Sequence, residues 1–266
     1  MGKLTRTHQG VLLLGLLAVS LAVGMSAVPL AAADVTLQPP RWSVGDWWTV
    51  DCQVQDLAPM MPGAKPGWRE KQSWRFIVEK EEPFDGRPHF VVAVQPIENN
   101  ACPYSFRYFL RKLDLFVSRV DMIHPQGSRG RAAKAGTVTK TFTGGHAAPY
   151  AAPSFPTLPM VVPIFGARSS EAASTSLGHP AALGATSQTV EKISPSALME
   201  KAEAALGESA GNFRLEGEAA LVRITRGGTA TDSQYWSAGL PWYVYGEQQE
   251  GQDLTRRYWL TDTNKE

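Results

Sequence analysis

Alternating apolar and polar residues predict β-strands in the first third of the chain. Residues 48–54 show this period of two, which is typical of a half-buried strand. Asp85-Gly86 lies between two apolar runs and predicts a tight hairpin. Because strands adjacent in sequence usually pair, we expect a five-stranded antiparallel meander. Its strands are predicted at 48–54, 72–80, 90–94, 104–111 and 113–120, and the uniformly apolar 90–94 should be central and covered on both faces.

The last third of the chain predicts one short helix and five further strands. Ser194 is a suitable helix N-cap, Pro195 suits the first helical position, and Gly207 is a natural stop. The apolar residues between them recur at helical spacing, so one face should lie against a sheet. The five strands are predicted at 213–218, 221–226, 234–236, 242–245 and 254–260.

The middle of the chain, residues 125–190, differs in composition and predicts a mostly irregular insertion. It is rich in Gly, Ala, Ser, Thr and Pro, and such a stretch buries too little apolar surface to offset its ordering entropy. Residues 153–165 are an exception, because four prolines there alternate with large apolar side chains. We expect this segment to be extended and docked on the sheet through Phe155, Leu158, Val162 and Phe165, and a mobile lid or a partner-docking segment is the alternative.

These elements together predict a mainly β protein with a minor α+β character. The expected architecture is an antiparallel sheet, strongly curved or in the form of a half-barrel, with one short helix and a long Gly/Ala/Pro-rich insertion. The expected domain organisation is a single β-rich domain over residues 34–266.

The longest apolar run, from Val11 to Val28, predicts a secretory signal peptide over residues 1–33. Lys3 and Arg6 precede the run, and small residues ending at Ala33 follow it. The expected protein is therefore exported, periplasmic or extracellular, with cleavage near Ala33. If cleavage fails, the same run is long enough to act as a membrane anchor.

The charge of the chain serves mainly to exclude classes of binding partner. The first 33 residues hold two of the 26 basic residues and none of the 25 acidic ones, so the remaining chain carries a net charge of −1. A near-neutral chain without a basic cluster argues against nucleic acid as a partner and against an electrostatic role at a membrane surface.

The chain contains two cysteines, Cys52 and Cys102. In an oxidising compartment such a pair most simply forms a disulfide, and this one would close a loop of about 50 residues, worth about 4 kcal/mol. Free thiols are the alternative. Two distant cysteines without a histidine pair make a poor zinc site, so we expect no metal.

Catalytic motifs are weak in this sequence. The four histidines beyond the apolar run are widely separated and form no metal-binding pair, there is no nucleophile elbow or phosphate-binding loop, and we expect no cofactor. We do not expect an enzyme, but an exported hydrolase built from scattered residues around His89 stays open. The other three histidines, in or beside the insertion, are His124, His146 and His179.

Aromatic residues are the most distinctive feature and cluster near both ends of the chain. Core packing explains such clusters, since aromatics favour strands, and a binding cleft is the functional alternative. The loop 237–242 is expected to place Trp242 near the rim of the sheet. The function predicted is non-enzymatic binding of an apolar small molecule or an envelope protein, with a purely structural or assembly role as an alternative. The candidate ligand contacts are Trp47, Trp48, Trp236, Trp242 and Tyr245.

Overall fold

The computed structural model describes residues 37–55, 67–97, 100–124, 136–141, 158–160, 162–163, 165–166, 186–210, 213–215, 217–226, 230–251 and 253–265. Within these residues, eleven strands form one antiparallel sheet accompanied by one α-helix, α1 (Pro195–Leu206). The strands are β1 (Trp47–Val54), β2 (Gln72–Phe84), β3 (Arg87–Pro96), β4 (Ser105–Arg111), β5 (Val117–His124), β6 (Gly136–Thr141), β7 (Thr186–Ile193), β8 (Ala219–Arg226), β9 (Ala230–Ser237), β10 (Tyr245–Glu250) and β11 (Asp253–Thr263).

The order of strands across the sheet confirms the predicted five-stranded meander and extends it. The order is β6-β5-β4-β3-β2-β1-β11-β10-β9-β8-β7, so nearly every neighbour in space is also a neighbour in sequence. The exception is the pairing of β1 with β11, which joins the two ends of the domain through pairs such as Cys52 with Tyr258. Strands β6 and β7 form the two edges, and the sheet is not closed into a barrel.

Several predicted elements differ from the structure. Strands β6 and β7 were missed, and β6 lies wholly inside the predicted irregular insertion. The exposed side chains of Thr137, Val138 and Thr139 explain the omission, because an edge strand without a buried face has no apolar alternation. The strand predicted at 213–218 is absent from the described part of that segment, and the chain through 242–244 is irregular, so β10 begins only at Tyr245.

Local signals at the ends of elements were more reliable. The hairpin between β2 and β3 turns at Asp85 and Gly86, whose φ angles are 50° and 70°, the pair of positive values that a type I′ turn requires. At the start of α1 the Ser194 hydroxyl accepts a hydrogen bond from the Ala197 amide at 3.1 Å, with Pro195 at the first helical position. Gly207 ends the helix with a φ of 56°.

The two faces of the sheet are chemically different. Successive side chains in a strand point to opposite faces, so Trp48, Phe76 and Tyr108 share one face, called here the inner face. This face carries most of the hydrophobic core. The opposite face, called the outer face, is covered along β9, β10 and β11 by α1, where Ala202 packs against Tyr245 and Trp259.

The sheet curves around its inner face, as the sequence predicted. Phe76 in β2 and Trp236 in β9 belong to strands four positions apart, about 19 Å at the usual strand spacing. Both rings nevertheless contact Trp242, with centroid distances of 5.5 and 5.7 Å, so the two rings are no more than 11.2 Å apart. The strands therefore bend toward one another over Trp242.

Candidate functional site

Five aromatic side chains fill the middle of the inner face and are called here the aromatic cluster: Trp42, Trp48, Phe76, Trp236 and Trp242. Trp48 stacks on Phe76 with a centroid distance of 5.2 Å, and on Trp42 at 5.0 Å. Trp242 contacts the other four members. Offset stacking of this kind adds about 0.5–1.5 kcal/mol per pair beyond the burial of surface, so the cluster is a rigid centre for the domain.

The structure brings together three of the five predicted ligand contacts and separates the other two. Trp48, Trp236 and Trp242 belong to the aromatic cluster, whereas Trp47 and Tyr245 lie on the outer face. The ring of Trp47 is half-buried beneath the guanidinium of Arg75, 4.2 Å from its centroid. The alternation of side chains along a strand explains the separation, since adjacent residues such as 47 and 48 point to opposite faces.

Tyr245 is enclosed between the sheet and α1. Its hydroxyl donates a hydrogen bond to Glu247 Oε2 at 3.1 Å, and Glu247 also forms a 3.1 Å ion pair with Lys201 of the helix. Burial raises the pKa of the Tyr245 phenol, and the nearby Glu247 carboxylate raises it further. Tyr245 therefore anchors α1 to the outer face and faces no cavity of the inner face.

The expectation that Trp242 lies near the rim of the sheet is wrong. Only 1% of Trp242 is exposed, and it sits at the centre of the aromatic cluster. The loop before it is the cause. The Leu240 amide donates to the Ser237 carbonyl, closing a turn whose third residue, Gly239, has a φ of 89°. The turn reverses the chain, and the next residues run back across the inner face.

A segment preceding β1 covers part of the aromatic cluster. The indole Nε1 of Trp42 donates a hydrogen bond to the Pro241 carbonyl at 2.9 Å, and Leu37 is buried nearby in the same core. These contacts join the start of the described chain to the loop that carries Trp242. The N-terminal segment is therefore a structural part of the inner face.

The apolar segment predicted to dock does so where it is described. Leu158 and Phe165 are buried, and Val162 is half-buried at the border of the core, which confirms their predicted role; Phe155 lies outside the described residues. Phe165 meets Trp236 edge to face at 5.4 Å, and the Tyr243 hydroxyl donates to the Pro159 carbonyl at 3.4 Å. This segment therefore lies over the aromatic cluster from the side of β9.

Buried polar atoms interrupt the apolar inner face. Within the described residues, no hydrogen-bond partner is found for Nε1 of Trp48, Trp74 or Trp242, or for the hydroxyl of Tyr108. Leaving a buried donor unpaired costs about 1–3 kcal/mol, so native proteins seldom do so without a reason. Burial also raises the pKa of the Tyr108 phenol above its ordinary value.

A cavity of about 540 Å³ adjoins the aromatic cluster where the start of β8 lies beside the end of β9. Trp236, Leu240 and Ala220 give it an apolar wall, and residues 37–41 of the N-terminal segment form the opposite side. Its volume lies within the range of about 300–1,000 Å³ that is usual for small-molecule sites. The charged side chains that line it are Arg41, Lys192, Glu218 and Lys265.

The predicted disulfide between Cys52 and Cys102 is wrong, because both thiols are free. Cys52 lies in β1, whereas Cys102 lies in the loop before β4, where its thiol donates a hydrogen bond to the Tyr104 carbonyl. Burial raises the pKa of both thiols, which disfavours the thiolate form that acts as a nucleophile.

His89 is the described histidine whose side chain could serve catalysis, and it is buried on the outer face. Its Nδ1 lies 2.8 Å from the Arg87 carbonyl and therefore donates, which leaves Nε2 to accept from the Ser118 hydroxyl at 2.8 Å. A serine and a base are thus within hydrogen-bond reach, but only 1% of His89 is exposed. The side chains of His124, His146 and His179 lie outside the described residues.

Neither metal chemistry nor a membrane-spanning helix is indicated by the described part of the chain. Its His, Cys, Asp and Glu residues form no group of three or more placed to hold a metal ion. None of its helical residues belongs to a helix long and apolar enough to cross a bilayer. No model of a protein family matches the chain, and no curated protein matches it.

Proposed function

We propose that this protein is exported and binds a small, mainly apolar ligand in the cavity beside Trp236, without catalysing a reaction. One observation carries the proposal, namely a cavity of about 540 Å³ whose apolar wall continues into a rigid aromatic cluster. Aromatic rings give a ligand a large contact area and lose little conformational entropy on binding. The proposed compartment rests on the apolar run before Ala33.

The arrangement of chain segments around the cavity supports this function. One side of the cavity is the segment 37–41, which precedes β1, and the other side is the end of β8 and β9. The segment contributes two prolines, Pro39 and Pro40, which limit its backbone freedom. When the cavity is already formed, binding costs less free energy for ordering the protein. Modest apolar contact therefore suffices for affinity.

Titration with an uncharged fluorescent probe tests the proposal. N-phenyl-1-naphthylamine added to the purified full chain should show saturable emission with one site per molecule. Ala220→Phe places a large ring in the cavity and should abolish that emission, whereas Ala101→Phe alters an exposed alanine elsewhere and should leave it unchanged. Unchanged probe binding by a folded Ala220→Phe variant would contradict the assignment. The mass of the secreted product tests cleavage near Ala33.

A partner protein is the second candidate, and the free edge of β6 favours it. Strand β6 pairs only with β5 among the described strands, and 53% of Val138 is exposed there. An unprotected edge offers backbone donors and acceptors to a strand of another chain. Val138→Lys should weaken such an association, as measured by the sedimentation of mixtures with an envelope extract, and should leave the cavity probe unaffected.

A further inference from the structure

The mouth of the cavity carries more positive than negative charge. Arg41, Lys192 and Lys265 line it together with a single acid, Glu218. Glu218 forms an ion pair with Lys192, and Lys265 is paired with Asp46 at 3.1 Å. Arg41 is exposed and makes no hydrogen bond or ion pair with any described residue. Among the described residues, the guanidinium of Arg41 is therefore left without a countercharge.

Away from these charges the lining of the cavity is mostly apolar. Trp236, Leu240 and Ala220 supply the apolar wall. Two uncharged polar residues, Gln38 and Ser237, also line the cavity, and Ser237 is the last residue of β9.

We infer that the ligand of this cavity is an amphipathic anion, specifically a monocarboxylate with an apolar body. This inference rests on the function proposed above. The carboxylate lies at the mouth, where the planar guanidinium of Arg41 donates two parallel hydrogen bonds to its oxygens. The apolar body lies against Trp236 and Leu240.

The count of charges favours a monoanion over other head groups. Among the described residues that line the cavity, the two ion pairs leave one positive charge, that of Arg41, which matches a single carboxylate. A cationic amphiphile would meet three basic side chains at the mouth, so like-charge repulsion opposes it. An uncharged amphiphile keeps the apolar contacts but loses the charge-assisted hydrogen bonds at Arg41.

Three probes with the same apolar chain and different heads test the inference: dodecanoate, dodecanol and dodecyltrimethylammonium. Each displaces N-phenyl-1-naphthylamine from the full chain, below its critical micelle concentration, at pH 7 and low salt. Dodecanoate should compete at about fivefold lower concentration than dodecanol, the value of one exposed charge-assisted contact of about 1 kcal/mol. Dodecyltrimethylammonium should be the weakest, and added salt should reduce the advantage of dodecanoate.

Variants separate the role of Arg41 from general effects of charge. In Arg41→Gln, the dodecanoate concentration that displaces the fluorophore should rise to that of dodecanol. The dodecanol concentration that displaces it should not change. Arg107→Gln, which removes an exposed arginine of β4 paired with Glu79, is the matched control and should change neither. Equal competition by dodecanoate and dodecanol, or an unaltered Arg41→Gln variant, would overturn the anion preference alone. Failure of all three probes to displace the fluorophore would overturn the binding function itself.

Discussion

The indole Nε1 of Trp42 donates a 2.9 Å hydrogen bond to the carbonyl of Pro241, a residue 199 positions away. The two rings of Trp42 and Trp242 are also stacked, with centroids 6.2 Å apart. The segment before β1 and the loop before β10 are thereby held together over the inner face. The segment before β1 and the loop before β10 lie near opposite ends of the sequence, and each supplies one partner of this buried hydrogen bond.

Removing this hydrogen bond should destabilise the protein even when a ring is kept. Trp42→Phe leaves the buried Pro241 carbonyl without its partner, so the free energy of unfolding should fall by about 1–3 kcal/mol. Trp42→Ala should lower it by about 3–5 kcal/mol, since the ring contacts are lost as well. Urea denaturation followed by circular dichroism measures both. Trp47→Phe, at a half-buried ring on the outer face, should change stability less.

The docked segment that contains Phe165 should both stabilise the protein and restrict access to the inner face. Phe165→Ala removes the edge-to-face contact with Trp236, so the free energy of unfolding should fall by about 3–5 kcal/mol. Access of N-phenyl-1-naphthylamine to the inner face should increase at the same time. Leu113→Ala is the control, because 78% of Leu113 is exposed and its truncation should alter neither property. An unchanged unfolding midpoint in Phe165→Ala would show that the contact is dispensable.

Alkaline pH should destabilise the fold, because burial raises the pKa of Cys52, Tyr108 and Tyr258. The unfolded chain loses these protons above the ordinary values of 9.0 for the thiol and 10.0 for the phenols, whereas the folded protein retains them. The contribution of these groups to stability is therefore complete below pH 9. Above pH 9 stability falls by about 1.4 kcal/mol per pH unit because of the thiol, and above pH 10 each phenol adds about the same slope. Urea midpoints measured from pH 7 to pH 11 give the slope.

One variant isolates the contribution of the thiol to this slope. Cys52→Ala should reduce the slope between pH 9 and pH 11 by about 1.4 kcal/mol per pH unit, since one buried ionisable group is gone. Val50→Ala truncates a neighbouring residue on the same face of β1 that is equally buried and does not titrate. Its slope should equal that of the parent protein, and identical slopes for both variants would refute the assignment to Cys52.

Gly246 should resist substitution because a ring lies against it. A Cβ atom at this position would be 3.0 Å from Cε2 of Tyr243, tighter than most Cβ contacts in proteins, so the ring would have to shift. Gly246→Ala must displace a fully buried ring, so the free energy of unfolding should fall by about 1–3 kcal/mol. Thermal denaturation measures the change. Gly67→Ala, where a Cβ would meet nothing within 4 Å, should be close to neutral and controls for the added methyl group.

Local patterns in the sequence determined most of the strands and their faces. Alternation through Trp48, Val50 and Cys52 defined β1, and Asp85-Gly86 defined the hairpin, because both signals depend on a few adjacent residues. The same alternation also implied that Trp47 and Trp48 face opposite ways. Grouping the aromatic residues by their position along the sequence did not separate those of the inner face from those of the outer face.

Only the tertiary structure decided which distant segments meet. The pairing of β1 with β11, the burial of Trp242 and the unbonded state of Cys52 and Cys102 depend on contacts across the whole domain. The cavity beside Trp236 exists because a segment before β1 crosses to the end of β8 and β9. Strand periodicity determines which face of a strand is apolar, because burial acts on each residue locally. Strand periodicity does not determine which strands pair, because pairing depends on how the curved sheet and its covering segments pack as a whole.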